Sequence, residues 1–395
     1  MADFPMPRGT CPFGQHPGYA EAAAQGPLTK VSMAHGQIVW FVAGYAETRA
    51  LFADSRLSVD RTNPGYPGSA GATAEQLANM AETQSFNQLD DPEHAAYRRL
   101  AIPSLTVRRV KELRPALQSA VDAIVDDLLV AGPVADLVPA LAVPLPSIML
   151  SLLYGIPAED RPYFEQRVRQ AATDRRFGGR ALSELSSYLD RLLESKDGDG
   201  ADLLSGLMSG RRADLVTQRR VLNLALQTLV AGNESTLSML AMGLLSLLAH
   251  RNQWTALVAD PSRVPAAVEE LLRYLSVADS VPRVALSDVE IAGEVIRAGD
   301  GVLLATPAAN RDPQTFADPN QLDITRSARH HVAFGYGIHQ CVGQNLARAT
   351  LEIAITTLVT RIPDLHLAVP AEEIQIDGGV GVHRTTRLPV TWTPQ

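Results

Sequence analysis

Long stretches with helical spacing of apolar residues dominate the chain. They lie at residues 45–54, 116–129, 146–154, 201–208, 264–275 and 342–360. Residues 214–250 contain no proline and are apolar on every side, which predicts a buried helix roughly 50 Å long through the centre of the molecule. The pattern therefore predicts a mainly α fold.

Short β-rich runs predict small sheets near both ends of the sequence. The first run is Ile38 to Val42, and the later runs lie at residues 284–286, 289–291, 302–304, 374–376 and 388–392. Turns are predicted at residues 292–293 and 298–299. Because helical patterns fill most of the remaining chain, the sheets are expected to be minor parts of the fold.

Residues 62–71 combine prolines and glycines, which predicts a long loop. Loops of this length often contact substrates or act as lids. No other stretch has the composition of a linker between domains, and no internal repeat is found. We therefore expect one domain spanning residues 1–395.

The composition is that of an ordinary globular protein with a sizeable core. Of 395 residues, 46% are hydrophobic and 20% are charged. The net charge is −8 and the pI is about 5.6, so the chain as a whole lacks the basic surface of a nucleic-acid-binding protein. The basic cluster, defined as Arg108, Arg109, Lys111 and Arg114, is a local exception.

The ends of the chain and the cysteines bear on the cellular compartment. Residues 1–18 contain four prolines and no apolar run, and polar residues interrupt the apolar region 221–248, so neither a signal peptide nor a membrane span is predicted. Cys11 and Cys341 are too far apart to indicate a disulfide framework, which fits a reducing cytoplasm. Cys11 precedes Pro12 and is interpreted as a surface thiol.

The cysteine loop, residues 334–343, carries the strongest chemical signal and reads Phe-Gly-Tyr-Gly-Ile-His-Gln-Cys-Val-Gly. Gly335 and Gly337 allow the backbone to bend and to approach a flat object closely, because they carry no Cβ. Cys341 comes directly before a predicted helix, whose orphan amides and dipole favour a thiolate, the form that binds metals. Two other interpretations remain open, namely a buried structural cysteine or a zinc site formed by His330, His331, His339 and Cys341.

Two other polar groups are candidates for binding or catalysis. Residues 91–93 are typical of a helix start, and the following helix places His94 and Arg98 one turn apart, where they either bind one anion or face solvent. Within the long helix, residues 231–236 form a polar patch that contains a carboxylate. Burying such a patch is costly, so it is either a kink with bound water or a catalytic patch that faces a cofactor.

The cysteine loop resembles the signature of the cytochrome P450 monooxygenases, and further motifs follow in the order found in that family. The resemblance spans nearly the whole chain and implies the P450 fold, with the long helix over haem b and an axial thiolate from Cys341. Phe334 is implied to pack beside the sulfur, and Gly343 to let the helix backbone lie close to the cofactor. The residues implied to hold the haem propionates are His94, Arg98, Arg283 and His339.

The resemblance also implies a structural triad of charged residues. Glu270 and Arg273 resemble the family's Glu-x-x-Arg pair, and Arg326 resembles the third member. Buried charges of this kind persist only in a mutually satisfied network, so the three are expected to serve folding. Without the resemblance, an exposed helical ion pair is an equally good interpretation.

Glu234 and Ser235 resemble the family's acid–alcohol pair, which relays protons to iron-bound dioxygen, and Thr236 follows them. Ser235 departs from the common pattern, because threonine is usual there. Serine keeps the hydroxyl and loses the methyl group that restricts the rotamer. Ordinary hydroxylation is therefore less certain, and oxidative coupling gains weight.

The resemblance implies an enzyme that uses dioxygen to hydroxylate or epoxidise an organic molecule. The alternative is oxidative C–C or C–N bond formation without oxygen insertion, and a non-catalytic haem protein or a zinc protein is a distant third. The chain lacks a flavin domain and a cysteine-rich ferredoxin spacing, so a separate ferredoxin with its reductase is the expected electron donor. The basic cluster is a candidate docking surface for that partner.

Residues 57–67 resemble those of actinobacterial enzymes that tailor natural products, which implies a natural-product intermediate as the substrate. Substrate contacts are expected, by analogy with the family, from the loop that starts at Tyr66, from the long helix and from the turn at residues 382–384. The candidate residues are Tyr66, Phe86, Phe177, Leu229, Asn233, Val281 and Val382.

Overall fold

The computed structural model describes residues 2–6, 13, 17–173, 178–196, 198–212, 216–377 and 382–394. Its helices are α1 Pro17–Gln25, α2 Tyr45–Ala53, α3 Ala74–Thr83, α4 Glu93–Ala101, α5 Val107–Ala131, α6 Pro144–Leu153, α7 Arg161–Thr173, α8 Gly178–Ser195, α9 Leu203–Arg212, α10 Gln218–Ala249, α11 Arg251–Ala259, α12 Val264–Leu275, α13 Thr306–Ala309 and α14 Gln344–Arg361.

The strands are short, as the sequence pattern predicts. They are β1 Ala2–Phe4, β2 Leu28–Met33, β3 Ile38–Val42, β4 Leu57–Ser58, β5 Val134–Asp136, β6 Val281–Ala285, β7 Val289–Ile291, β8 Glu294–Ile296, β9 Gly301–Leu304, β10 His366–Leu367, β11 Ile376–Asp377, β12 Arg384–Thr385 and β13 Pro389–Thr391. The structure is 56% helical, so the predicted mainly α fold with small sheets is confirmed.

Local signals set several boundaries where the sequence predicts them. Strands β3 and β7 and helix α12 have the predicted bounds. Helix α10 begins after Thr217, whose hydroxyl accepts a hydrogen bond from the Arg220 amide at 3.3 Å and so caps the helix. Residue 214, the predicted start of this helix, lies outside the described residues.

Several predicted boundaries differ from the structure, and two of these differences have a clear physical reason. Helix α5 begins at Val107 and not at residue 116, because Thr106 caps it through the Arg109 amide at 3.2 Å and the buried apolar face continues across Pro115. A proline in a helix interior removes one backbone hydrogen bond, and here the burial of the apolar face outweighs that loss. The strand predicted at 374–376 is shifted to β11, because a 3₁₀ turn occupies residues 371–373.

The chain divides into two compact units. The first unit comprises Met1–Ala95, Glu269–Cys341 and Gly378–His383, and it contains a six-stranded sheet with the order β1-β2-β3-β9-β6-β4. Strand β9 pairs in parallel with β3 and antiparallel with β6, so that Trp40 and Arg283 both lie opposite Val302. This register places Arg283 on β6, an interior strand of the sheet that lies between β9 and β4.

The second unit comprises Ala96–Val268, Val342–Asp377 and Arg384–Gln395. Helix α10 lies at its centre and packs against α6, α7, α8, α9, α11 and α14. Every residue from Thr236 to Leu248 is buried, as expected for a helix that is apolar on all sides. Within the described ranges, no helix is both long and apolar enough to cross a membrane.

Candidate active site

Backbone hydrogen bonds close the cysteine loop into a fixed shape. The Cys341 amide donates to the Phe334 carbonyl at 2.8 Å, and a 3₁₀ turn spans residues 337–339. Gly335 and Gly337 have φ values of +68° and +74°, which glycine adopts without strain. A Cβ on Gly337 would lie 2.8 Å from the Phe52 carbonyl oxygen, so this close approach also requires glycine. The loop leaves Cys341 exposed, as a metal ligand must be before its cofactor binds.

The start of α14 follows Cys341 closely along the chain. The helix begins at Gln344, two residues later than predicted, and Gly343 occupies its cap position with φ −84° and ψ 0°. Glycine is well tolerated at a helix N-cap. The amides of the first helical turn therefore follow within a few residues of the sulfur, which is the arrangement from which a stabilised thiolate is predicted.

Two histidines from distant parts of the sequence lie together in the first unit. The ring centroids of His94 and His339 are 4.1 Å apart, and His94 is buried at the start of α4. The His94 Nδ1 lies 3.2 Å from an oxygen of Asp91, which orients the ring. Arg98 lies one turn further along α4. The structure therefore brings together two of the four residues expected at the propionates.

Arg283 is a buried cation without a carboxylate partner. Its side chain is 4% exposed, it donates to the Pro282 carbonyl at 2.8 Å, and it forms no ion pair within the part of the chain that the structure describes. Burial lowers the pKa of Arg283 to about 10, against the opposing effect of Tyr66 and Asp90. The guanidinium therefore remains charged at neutral pH, and a buried charge of this kind needs an anion.

Tyr66 connects Arg283 with a second arginine that lacks a carboxylate partner. Burial raises the pKa of the Tyr66 hydroxyl, while the positive charges of Arg283 and Arg61 oppose that increase. The Nε of Arg61 is itself buried, without a hydrogen-bond partner among the described residues. This region of the first unit therefore carries positive charge, from Arg283 and Arg61, that an anionic cofactor group would neutralise.

The three residues of the predicted triad form one network in the first unit. Glu270 and Arg273 are fully buried and form a two-pronged ion pair at 2.7 and 2.8 Å. Arg326 contacts the same carboxylate at 3.2 Å, and the Asp323 amide donates to it at 3.0 Å. The remaining donors of Arg273 bond to the carbonyls of Asn310, Pro319 and Gln321. All three guanidinium nitrogens of Arg273 thus donate hydrogen bonds, either to Glu270 or to backbone carbonyls of the loop segments.

The polar patch of the second unit lies on α10. The Ser235 hydroxyl donates to the Ala231 carbonyl one turn earlier at 2.7 Å, so the serine rotamer is held even without the methyl group of threonine. Glu234 is half-buried and Thr236 is buried. Glu234 and Ser235 are therefore both partly exposed at adjacent positions of the helix.

Helical spacing separates the accessible side of α10 from its buried side. Val230 is 39% exposed and Ala231 is exposed, whereas Leu229 and Asn233 are 1% and 3% exposed. We call the accessible side the α10 face and define it as the partly or fully exposed residues between 226 and 235, namely Leu226, Gln227, Thr228, Val230, Ala231, Gly232, Glu234 and Ser235. Gln227 and Val230 are not among the candidates named from the sequence.

The other predicted substrate contacts lie in the first unit or outside the described residues. Tyr66 and Val281 are half-buried, and Phe86 is 8% exposed. Val382 is half-buried and forms an isolated β-bridge with Ala278. Phe177 lies outside the described residues.

The fold and the sequence motifs have known counterparts. The sequence model of the family described as Cytochrome P450 matches residues 262–362 of this chain. Pentalenic acid synthase of Streptomyces avermitilis is 44% identical, with 98% of this chain and 97% of that protein covered. Vitamin D3 dihydroxylase of Streptomyces griseolus is 41% identical, with 98% and 96% covered. The chain belongs to the cytochrome P450 family.

A solved structure supports the same assignment at the level of the fold. The crystal structure of cytochrome P450 MoxA from Nonomuraea recticatena superposes with a TM-score of 0.92 at 40% identity, covering 99% of this chain and 98% of that chain. The predicted P450 fold is thereby confirmed. The chain is an oxidoreductase of the monooxygenase class, whose members carry haem b with an axial cysteine thiolate.

The residues present fit this cofactor. Cys341 is the cysteine within the family signature. Arg283 and Arg61 are cations for which the described residues offer no carboxylate partner, as two propionate groups require. The histidines of the alternative zinc site are engaged elsewhere, since His330 stacks on Phe316 at 4.6 Å and His331 bonds to Glu269. No group of three metal-binding side chains is found among the described residues.

Replacing Arg283 by leucine is expected to weaken haem binding while leaving the fold intact. The substitution removes a buried, unpaired charge, so the haem-free protein should be no less stable. A charged hydrogen bond contributes about 1.5–3 kcal/mol, which corresponds to roughly 10- to 100-fold faster haem loss. Haem transfer to apomyoglobin measures this rate. Arg297→Leu is the control, because Arg297 is exposed and pairs with Asp288 at 2.6 Å; equal rates in both variants would contradict the role.

Proposed function

We propose that this P450 hydroxylates or epoxidises an organic natural-product intermediate with dioxygen and with electrons from a separate ferredoxin and ferredoxin reductase. The proposal rests chiefly on the closed cysteine loop, in which the Cys341 amide bonds to the Phe334 carbonyl at 2.8 Å and the side chain stays exposed. We propose further that residues 1–395 form one haem-thiolate monooxygenase domain. We assign the enzyme to the cytoplasm, where reduced ferredoxin is produced.

When bound, the haem supplies the activation of dioxygen. Cys341 would supply the thiolate ligand, and His94, Arg98, Arg283 and His339 would hold the propionates. Glu234 and Ser235 deliver protons from the accessible side of α10, and Thr236 supports them from its buried position. By analogy with the family, the residues that contact the substrate are Tyr66, Phe86, Phe177, Leu229, Asn233, Val281 and Val382.

Hydroxylation is favoured over oxidative coupling by the geometry of Ser235. Controlled proton delivery requires a hydroxyl with a defined orientation, and the bond to the Ala231 carbonyl at 2.7 Å provides it. Serine therefore replaces the usual threonine without losing the orientation of the group. Two relatives agree with oxygen insertion, since one is a vitamin D3 dihydroxylase and the other is 20-oxo-5-O-mycaminosyltylactone 23-monooxygenase.

The decisive experiment combines a spectrum with a product analysis. The reduced, carbon-monoxide-bound protein is expected to show the Soret band of thiolate ligation. Natural-product scaffolds, including terpene acids, sterols and macrolides, are screened by their ferric difference spectra, and those that bind are turned over under ¹⁸O₂ with ferredoxin and its reductase. A product that carries one ¹⁸O atom supports the proposal. A product that loses two hydrogens and contains no label would instead establish coupling.

Replacing Ser235 by alanine is expected to uncouple electron consumption from product formation. Positioned proton transfer contributes about 10²-fold at the lower end of its usual range, so the product formed per NADPH should fall steeply while peroxide rises. The ratio of product to NADPH and the yield of hydrogen peroxide measure the effect. Ser235→Thr is the matched control and should preserve coupling. Unchanged coupling in the alanine variant would show that the hydroxyl relays no proton.

Neutralising part of the basic cluster is expected to weaken ferredoxin docking. Arg108 and Lys111 are exposed, whereas Arg114 is engaged with Glu352 at 2.8 Å. The double variant Arg108→Ala with Lys111→Ala should raise the KM for ferredoxin severalfold, with less effect at high salt, where charges are screened. Arg263→Ala is the control, because this exposed arginine lies on a surface turn and pairs with Asp260. A KM that stays unchanged at low salt would exclude the cluster as the docking surface.

A further inference from the structure

A buried histidine connects helix α12 with the first residues of the cysteine loop. His331 is 7% exposed, and its Nε2 lies 3.2 Å from an oxygen of Glu269, which is 5% exposed on α12. The Nδ1 of the same ring accepts a hydrogen bond from the Ala333 amide at 3.1 Å. Both ring nitrogens are therefore engaged, one by the helix and one by the backbone that leads into Phe334.

These two contacts determine the tautomer of His331. A backbone amide can only donate, so Nδ1 must carry a lone pair where it meets the Ala333 N–H. The ring proton therefore lies on Nε2 and is donated to the Glu269 carboxylate. A doubly protonated ring would place two N–H groups against each other at Ala333. The geometry is thus compatible only with a neutral, Nε2-protonated imidazole, whose orientation Glu269 holds.

We call residues 331–334 the strap, and this segment leads into the cysteine loop. Ala333 precedes Phe334, whose carbonyl accepts the Cys341 amide at 2.8 Å. The strap is also held at Val332, whose amide donates to the Asn310 side chain at 2.7 Å. The ring of His331 lies 5.8 Å from the ring of Phe334. A short series of contacts therefore runs from Glu269 through His331 to the cysteine backbone, all within the first unit.

The direction of the Cys341 amide matters because hydrogen bonds to a ligating sulfur withdraw negative charge from it. In this structure that amide points to the Phe334 carbonyl. If the strap relaxes, the carbonyl moves and the amide becomes available to other acceptors, the sulfur included. Donation from thiolate to metal would then decrease.

We propose that His331, held in its Nε2-protonated form by Glu269, is a positioning residue that keeps the cysteine loop in the conformation in which the thiolate donates most strongly. Its contact with the Ala333 amide places the Phe334 carbonyl, and that carbonyl in turn holds the amide of Cys341. The role rests on the haem of the family and not on the substrate. It can therefore fail while the proposed oxygenation stands.

Two substitutions separate the two contacts of the ring. In His331→Asn the side-chain oxygen occupies the place of Nδ1, so it can still accept from Ala333 but can no longer reach Glu269. In His331→Gln the side-chain amide occupies the place of Nε2, so it can still donate to Glu269 but accepts nothing from Ala333. The haem reduction potential and the reduced, carbon-monoxide-bound spectrum are measured for both variants and for the wild type, with thermal unfolding as a check of the fold.

We expect His331→Gln to shift the reduction potential to more positive values and to give a fraction of the carbonyl complex without the thiolate band. His331→Asn should stay close to the wild type in both measurements. Equal shifts in the two variants would reduce His331 to a packing residue and overturn the proposal, as would a folded glutamine variant with wild-type values.

A measurement on the unaltered protein covers the case in which the glutamine variant does not fold. Nitrogen-15 NMR of the ferrous carbonyl form of the histidine-labelled enzyme, assigned by comparison with His331→Asn, reports the protonation of each ring nitrogen. The proposal requires a neutral ring with its proton on Nε2 at neutral pH. A doubly protonated His331, or a ring protonated on Nδ1, would overturn it.

Discussion

Replacing Cys341 by serine is expected to abolish thiolate ligation and monooxygenase activity together. The exposed side chain of Cys341 stands in a loop that the Phe334 carbonyl holds closed, and serine fits that backbone without strain. The substituted loop should therefore keep its shape, while an alcohol provides neither the charge nor the softness of a thiolate. The reduced, carbon-monoxide-bound spectrum should lose the thiolate band, and product formation should fall to background.

Two comparisons make this result specific. Cys11→Ser replaces the only other cysteine of the chain and should leave spectrum and activity unchanged. Cys341→His supplies a neutral nitrogen ligand and should retain haem with the spectrum of histidine ligation, still without oxygenation. A serine variant that kept the thiolate band would mean that the sulfur ligand comes from elsewhere.

The cysteine loop could be predicted from the sequence because its determinants are contiguous. Gly335, Gly337 and Cys341 lie within a few residues of one another, and the backbone bonds that close the loop are local. The same holds for α10, whose proline-free and largely apolar sequence is visible in one stretch. Where the determinants of a structure lie close together in the sequence, residue propensities and the spacing of apolar residues are sufficient to predict it.

Contacts between distant segments were beyond the sequence pattern. His331 was read as a candidate zinc ligand, yet its partner Glu269 lies on α12, far away in sequence. Similarly, neither β1 nor β2 was predicted. Strand β1 is only three residues long, and its parallel pairing with β2 stabilises it. Pairing of this kind depends on tertiary packing, which strand propensity does not encode.

The α10 face shows a second kind of limit. Leu229 and Asn233 were chosen as substrate contacts by analogy with the family, and that choice stays a prediction. The structure shows both of them buried, while Val230 and Ala231 are exposed. Periodicity relates positions to one another but does not state which side of an all-round apolar helix is covered. Only the packing of α6, α7 and α8 against α10 decides that question.

The second large effect is expected at the triad, where Glu270→Gln should severely destabilise the fold. Glu270 and Arg273 are fully buried, and removing one partner of a buried ion pair costs about 3–5 kcal/mol, because the other charge remains unpaired. The free energy of unfolding of native proteins is about 5–15 kcal/mol, so this loss would remove a large fraction of it. Urea unfolding followed by circular dichroism measures the change. The haem content at purification provides a second readout.

The exposed pair of Asp260 and Arg263 provides the matched control, since it has the same spacing as an ion pair but faces solvent. Asp260→Asn should cost no more than about 1 kcal/mol. Arg326→Gln should give an intermediate loss, because Arg326 contacts Glu270 at 3.2 Å from a partly exposed position while Arg273 continues to neutralise the carboxylate. If Glu270→Gln were as mild as Asp260→Asn, the network would not stabilise the fold. The carbonyl contacts of Arg273 with the segment around Pro319 would then have to hold that segment without the carboxylate.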